Sequence, residues 1–156
     1  MCKILIFSFA GVGSSYTRGL FQAVLNNADR LPLSEIRLYD IDAQRNADMY
    51  LIIQYMLKKE GFKDVVISST EDPETAFTGC DFIFSQIRVG GMKMREKDEK
   101  IPLSHGLVGQ ETCGLGGFAY GMRSMNGLLE IVGYVQKYAP EAWILNYTNP
   151  ESIVSE

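Results

Sequence analysis

The chain has 156 residues, 46% of them hydrophobic and 22% charged, and its mean hydropathy is −0.02. This composition predicts one globular domain with a hydrophobic core of its own. The net charge of −4 argues against a nucleic-acid partner, and no apolar run approaches the roughly 18 residues that span a membrane. The start carries no secretion signal and the cysteines are scattered, so we expect a reduced, cytoplasmic protein.

The first half of the chain alternates between strand-like and helical patterns. A continuous apolar run opens the chain and is followed by small residues over 10–15, which predict a tight turn. Gly61 follows the second helical pattern as a C-cap glycine. The predicted elements are, in order, a strand over 3–9, a helix over 16–26, a strand over 35–40 and a helix over 43–59.

The second half continues this alternation around one long irregular segment. Residues 88–117 hold seven of the 15 glycines and show little periodicity. A segment of this length is too long for a plain loop in a compact domain, so we expect it to be functional or to contain short helices. The predicted elements are a strand over 64–68, a helix over 71–77, a strand over 81–87, a helix over 118–138 and a strand over 142–147.

Alternating strands and helices predict an α/β fold, a Rossmann-like doubly wound sheet with mostly parallel strands. Asn149 and Pro150 resemble a helix N-cap followed by proline at the first helical position. The chain ends soon after this start of a helix. We therefore expect residues 1–156 to be one nucleotide-binding domain from a longer enzyme.

A glycine turn between the first strand and the first helix is the first candidate site. Gly11 and Gly13 would let the backbone approach a pyrophosphate, although a merely structural turn is an equal alternative, because Tyr16 replaces the third glycine of the dinucleotide pattern. Asp40 ends the second strand, where a carboxylate would accept the ribose hydroxyls of NAD and repel the 2′-phosphate of NADP. The alternatives for Asp40 are a solvated strand-end acid and a helix cap, and Asp42 competes for the capping role.

A second candidate site lies in the glycine-rich segment and after the fifth predicted strand. Arg88 and Arg95 could grip a phosphate or carboxylate, and Glu111 could hold or activate a base. From the pattern alone, surface salt bridges are the favoured explanation for each of these charges. Asn149 follows the strand at the same edge of the sheet, where its alternative role is the helix cap. The one histidine and the absence of a CxxC pair give no zinc signature.

Six short motifs occur in a fixed order along nearly the whole chain. They are GVGSSYTRG over 11–19, LYDID over 38–42, IRVGG over 87–91, VGQETCG over 108–114, AYGMRS over 119–124 and LNYTNP over 145–150. Together they resemble the N-terminal domain of family 4 glycoside hydrolases, the NAD- and manganese-dependent glycosidases. Within that family they are most similar to the 6-phospho-α-glucosidases.

The resemblance implies hydrolysis of phosphorylated disaccharides by transient oxidation. NAD+ takes hydride from carbon 3 of the sugar, a tyrosine base removes the proton on carbon 2 with Mn2+ stabilising the enolate, and the glycosidic oxygen leaves from carbon 1. Water then adds to the double bond, and the hydride returns to the sugar. The implied partners are a phosphorylated sugar and further copies of the enzyme, as a homodimer or homotetramer.

The resemblance also assigns roles to individual residues. Glu111 matches the glutamate that raises the basicity of the tyrosine base, and Cys113 does not match the metal ligand. The metal ligands, the acid and the tyrosine are expected outside this sequence, so we expect the chain to bind no metal and to catalyse nothing alone. The dinucleotide positions are Gly11, Gly13, Ser14 and Asp40, and the substrate positions are Arg95 and Asn149.

Three alternatives to the 6-phospho-α-glucosidase remain open. A 6-phospho-β-glucosidase or α-galactosidase of the same family would share most of these motifs. A 2-hydroxy acid dehydrogenase also has Asn-Pro after a strand but lacks the Gly-Gln-Glu-Thr stretch over 109–112. A non-catalytic nucleotide-binding module is the third alternative.

Overall fold

The computed structural model describes residues 5–156, which fold around a five-stranded parallel sheet in the order β3-β2-β1-β4-β5. Residues 3 and 4 of the first predicted strand, and Cys2, lie outside the described residues. The first strand lies in the middle of the sheet. The second and third strands are added on one side of it, and the fourth and fifth are added on the other side, as in a doubly wound fold. The strands are β1 (Leu5–Ala10), β2 (Leu33–Tyr39), β3 (Val66–Thr70), β4 (Phe82–Ser85) and β5 (Trp143–Asn146).

Within residues 5–156, six helices connect or follow these strands. The second has the predicted bounds, because Asp42 caps its start by accepting the N–H of Arg45 at 3.1 Å. At its end Gly61 adopts φ +83°, and the N–H of Phe62 bonds to the carbonyl of Leu57 at 2.9 Å. The helices are α1 (Thr17–Leu25), α2 (Ala43–Lys59), α3 (Pro73–Phe77), α4 (Gly91–Ser104), α5 (Gly114–Tyr138) and α6 (Glu151–Val154).

The sheet carries a hydrophobic core on each face, which confirms the doubly wound prediction. On one face Phe9 packs with Phe21 of α1 and Ile53 of α2, and all three are fully buried. On the other face Phe77 of α3 and Ile131 of α5 pack over β4. Burying each of these side chains contributes about 1.5–3 kcal/mol. No helix in residues 5–156 is both long and apolar enough to cross a membrane.

Three local predictions need correction. The irregular segment was expected to contain short helices at most, but it contains the 14-residue helix α4. Glycines at its start and Pro102 inside it are typical of loops, so the sequence pattern did not predict its length. Helix α5 begins at Gly114 instead of 118, because glycine is a poor helix former and masks the true start. The N-cap of α6 is Pro150, without a side-chain cap bond, so the capping role predicted for Asn149 is wrong.

Candidate active site

A cleft of about 1120 Å³ lies along the carboxyl edge of the sheet. The residues that directly follow four strands line it: Gly11 after β1, Asp40 after β2, Gln86 after β4 and Tyr147 after β5. Ligands of doubly wound sheets bind at this edge. The cleft brings together every residue assigned to a site from the sequence: Gly11, Gly13, Ser14, Asp40, Arg95, Glu111 and Asn149.

Both glycines of the turn after β1 are required by close packing. Gly11 has φ +82°, and a Cβ there would lie 2.8 Å from the carbonyl oxygen of Gln86. A Cβ on Gly13 would lie 2.8 Å from the Cβ of Arg45. The turn is therefore pressed between β4 and the start of α2. Its backbone faces the cleft where α1 begins, so the positive end of the α1 dipole points toward any ligand bound there.

The carboxylate of Asp40 holds this turn in place. One oxygen accepts the N–H of Gly13 at 2.7 Å, and the other accepts the N–H of Asp42 at 2.9 Å. Asp40 is therefore not the simply solvated strand-end acid of the alternative interpretation. Each oxygen keeps acceptor capacity for a hydroxyl group in the cleft. Ser14 closes the turn through its N–H, which donates to Gly11 at 3.3 Å.

The end of the cleft beside Asp40 carries Glu130, Asp42 and the cation Arg45. Tyr39 is buried there, and burial, together with the charges of Glu130 and Asp40, raises its pKa. Tyr134 of α5 donates to Glu130 at 2.6 Å, and this hydrogen bond raises the pKa of Tyr134 to about 12. The side chain of Arg45 lines the same end and packs against Gly13, so a phosphate there would meet charges of both signs.

The opposite end of the cleft holds a cluster of paired charges. One oxygen of Glu111 contacts the guanidinium of Arg88, and the other lies 3.1 Å from that of Arg95. Arg95 also bonds to Glu99 at 2.9 Å. The bond to Glu99 and the charge of Glu111 raise the pKa of Arg95. The salt bridges foreseen from the sequence therefore exist, but they line a concave site and are half-buried.

Tyr120 forms the floor beneath this charged cluster. The guanidinium of Arg88 lies 4.9 Å from the centre of the Tyr120 ring, a cation–π contact. Burial raises the pKa of Tyr120, and the charge of Arg88 opposes the rise. Behind it, Arg123 of α5 and the buried Asp98 of α4 form a two-bonded ion pair, with one contact at 3.0 Å. This pair fixes α4, and with it Arg95, against α5.

Asn149 lies exposed at the β5 side of the cleft, with its side chain outside the helix cap. The neighbouring Thr148 is buried, and its hydroxyl oxygen accepts the N–H of Ile87 at 3.1 Å. This bond joins the segments that follow β4 and β5, and it thereby fixes the position of Asn149 at the edge of the cleft. Within residues 5–156, no three His, Cys, Asp or Glu side chains are grouped so as to hold a metal ion.

Several residues of the cleft were not found from the sequence. Gln86 fell within the predicted strand over 81–87, and Tyr120 and Glu130 fell within the predicted helix over 118–138. Only the strand register and the helix orientation show that all three line the cleft. Arg88 and Glu111 were singled out, but their pairing across 23 residues of sequence was not foreseen.

Comparisons with known proteins match this chain over nearly its full length. Residues 6–156 match the model of the family 4 glycosyl hydrolases. The chain is 51% identical over 147 residues to a 6-phospho-alpha-glucosidase of Leptotrichia buccalis, which covers 94% of this chain and 33% of that protein. It is 48% identical to a maltose-6′-phosphate glucosidase of Fusobacterium mortiferum, with the same 94% and 33% coverage.

A solved structure shares the fold closely. The crystal structure of a 6-phospho-alpha-glucosidase from gut microorganisms, in complex with NAD and Mn2+, superposes with a TM-score of 0.94 at 40% identity. The match covers 98% of this chain and 34% of that one. The chain thus spans about a third of the length of these relatives.

Proposed function

The chain belongs to family 4 of the glycosyl hydrolases, and we propose from this that it forms the NAD-binding part of a 6-phospho-α-glucosidase acting on phosphorylated disaccharides such as maltose 6′-phosphate. One observation carries the proposal: a single cleft holds the glycine turn and Asp40 at one end and Arg95, Glu111 and Asn149 at the other. Family membership contradicts the dehydrogenase alternative. The 51% and 48% identities to α-specific enzymes favour that specificity over the β-glucosidase and α-galactosidase alternatives.

Gly11, Gly13, Ser14 and Asp40 are proposed to bind the dinucleotide. The turn fits a pyrophosphate, since its backbone lies against the cleft at the start of α1. Asp40 has spare acceptor capacity for the adenosine ribose, and its charge disfavours the 2′-phosphate of NADP. The bound NAD+ supplies a hydride acceptor for the sugar.

Arg95 and Asn149 are proposed to bind the phosphorylated sugar. The Arg95 guanidinium has a planar fork suited to a phosphate, and its bonds to Glu99 and Glu111 hold that fork at the mouth of the cleft. Asn149, in the segment that follows β5, offers its side-chain amide to the hydroxyl groups of the sugar. Glu111 is the proposed catalytic residue, and its ion pairs with Arg88 and Arg95 orient its carboxylate.

The manganese ion of the relative has no counterpart ligand set in residues 5–156, so no step is assigned to a metal here. We propose that the metal ligands and the tyrosine base lie outside this sequence, and that residues 1–156 alone bind nucleotide without hydrolysing substrate. The whole protein is proposed to act in the cytoplasm as a homodimer or homotetramer.

Hydrolysis assays of the whole protein test this function. With NAD+ and Mn2+ present, we expect turnover of a 6-phospho-α-glucoside and at least tenfold slower turnover of the β-anomer and of the unphosphorylated α-glucoside. Faster turnover of the β-anomer would replace the α assignment with the β alternative. Turnover without a 6-phosphate would remove the substrate role of Arg95.

A further inference from the structure

The outer face of α2 carries an apolar patch that the fold of residues 5–156 leaves exposed. It consists of Leu51, Ile52 and Tyr55, which are 62%, 40% and 67% exposed. Tyr55 follows Leu51 by four residues and Ile52 by three, so the three side chains lie together on one face of the helix. The opposite face packs into the core through Ile53 and Met56. Single exposed apolar residues are normal, whereas a contiguous patch indicates contact with another surface.

Opposite charges flank this patch along the helix. Asp48 lies one turn before Ile52, and Lys59 lies one turn after Tyr55, both exposed and on the same face. Asp48 accepts from Gln44 at 2.9 Å. Asp48 and Lys59 are about 16 Å apart along the axis of one helix, at 1.5 Å per residue, and so cannot pair with each other. The face therefore consists, in chain order, of an acid, an apolar patch and a base.

This order of groups is complementary to itself. A two-fold axis brings a surface against a second copy of the same surface, so residue i contacts residue j and j contacts i. An axis through the middle of the patch, with the two α2 helices antiparallel, places Asp48 opposite Lys59 of the second copy and Ile52 opposite its Tyr55. Both charge pairs then form together, one at each end. A parallel arrangement would instead place Asp48 beside a second Asp48.

We propose that a second copy of the protein docks on this face, with the two α2 helices antiparallel across a two-fold axis. The inference assigns a surface to the oligomer of the proposed function and rests on that part of it, but not on NAD or the substrate. Three apolar side chains per copy are too few to hold two copies of residues 1–156 together, because stable interfaces bury about 800 Å² per partner. The helix pair is therefore the centre of a larger contact that the whole protein makes.

Zero-length cross-linking of the whole wild-type protein tests this geometry without a substitution. A carbodiimide joins a carboxylate to an amine in direct contact, and a mixture of 14N- and 15N-labelled protein marks links between chains. We expect a mixed-isotope peptide that joins Asp48 to Lys59. The exposed pair of Glu96 and Lys100 is the positive control, since it should cross-link within one chain. A mixed-isotope link from Lys59 to another acid, or none while the control pair links, would overturn the inference.

Charge reversal in the whole protein gives the second test, read by sedimentation velocity. Asp48→Lys and Lys59→Asp should each weaken dimerisation about tenfold, because both symmetric pairs become like-charged, and the double variant should restore it. Glu141→Lys is the matched control at the opposite edge of the sheet and should change nothing. Losses that the double variant does not restore would refute the pairing. A monomeric wild type would contradict the proposed oligomer as well, whereas an oligomer insensitive to both reversals would contradict the α2 surface alone.

Discussion

Asp40→Ala would separate the structural and ligand-binding roles of this carboxylate. The substitution leaves the N–H groups of Gly13 and Asp42 without their acceptor. A hydrogen bond to a charged group is worth about 1.5–3 kcal/mol when it is shielded from water. The Gly13 bond is partly buried, whereas the Asp42 bond is exposed and water can replace it. We expect the free energy of unfolding to fall by about 2 kcal/mol.

The same substitution should change the choice between the two dinucleotides. Loosening of the glycine turn weakens NAD+ and NADP+ together, so the ratio of their affinities reports only the local charge and the hydrogen bond to the ribose. One unit charge about 5 Å from a phosphate charge costs about 0.8–3 kcal/mol at an effective dielectric constant between 80 and 20. Removing it, and removing the ribose acceptor, should lower the NAD+ to NADP+ affinity ratio at least tenfold.

Calorimetry with both dinucleotides, beside urea unfolding, measures the two effects separately. Asp48→Ala is the control, because Asp48 is an exposed acid of α2 that does not line the cleft. It should leave the affinity ratio and the stability unchanged. An unchanged ratio in Asp40→Ala, together with the expected loss of stability, would mean that Asp40 supports the turn and does not contact the ribose.

Three further predictions concern the scaffold of the site. In urea titrations, Gly11→Ala should lower the free energy of unfolding by more than about 2 kcal/mol, because φ is positive there and the new Cβ would clash with the backbone of Gln86. The control is Gly133→Ala, which lies in open space on α5. It should leave the free energy of unfolding equal or raise it by about 0.5–1 kcal/mol. Asp98→Asn should lower the free energy of unfolding by about 1–3 kcal/mol, because it removes the charge of one member of a largely buried ion pair. The control Glu96→Gln, in an exposed pair with Lys100, should lower it by under about 0.5 kcal/mol. Equal losses in the two variants would refute the coupling of α4 to α5. Burial raises the pKa of Cys80 to about 11, so its thiol stays protonated at pH 8, and peptide mapping after brief alkylation should find the exposed Cys113 modified and Cys80 intact.

The sequence predicted the fold and the first half of the site because both depend on local patterns. An apolar strand, a glycine turn and a helix follow one another within 25 residues, and Asp40 ends the next strand. Parallel strands place their carboxyl ends at one edge, so the position of the turn beside Asp40 followed without long-range information. That both glycines are also demanded by packing against Gln86 and Arg45 could not be predicted, since it depends on contacts between distant segments.

The second half of the site depends on contacts that local patterns do not carry. Helix α4 escaped prediction because Gly90, Gly91 and Pro102 read as loop signals, yet tertiary packing on α5 stabilises it. The partnership of Glu111 with Arg88 and Arg95 joins a strand end, a helix and a loop.

A crystal structure of this chain with NAD+ tests the central claim most directly. The account predicts the adenosine ribose at Asp40, the pyrophosphate against Gly11 and Gly13, and the nicotinamide riboside facing Arg95. A dinucleotide bound in the reverse direction, or outside the cleft, would contradict it.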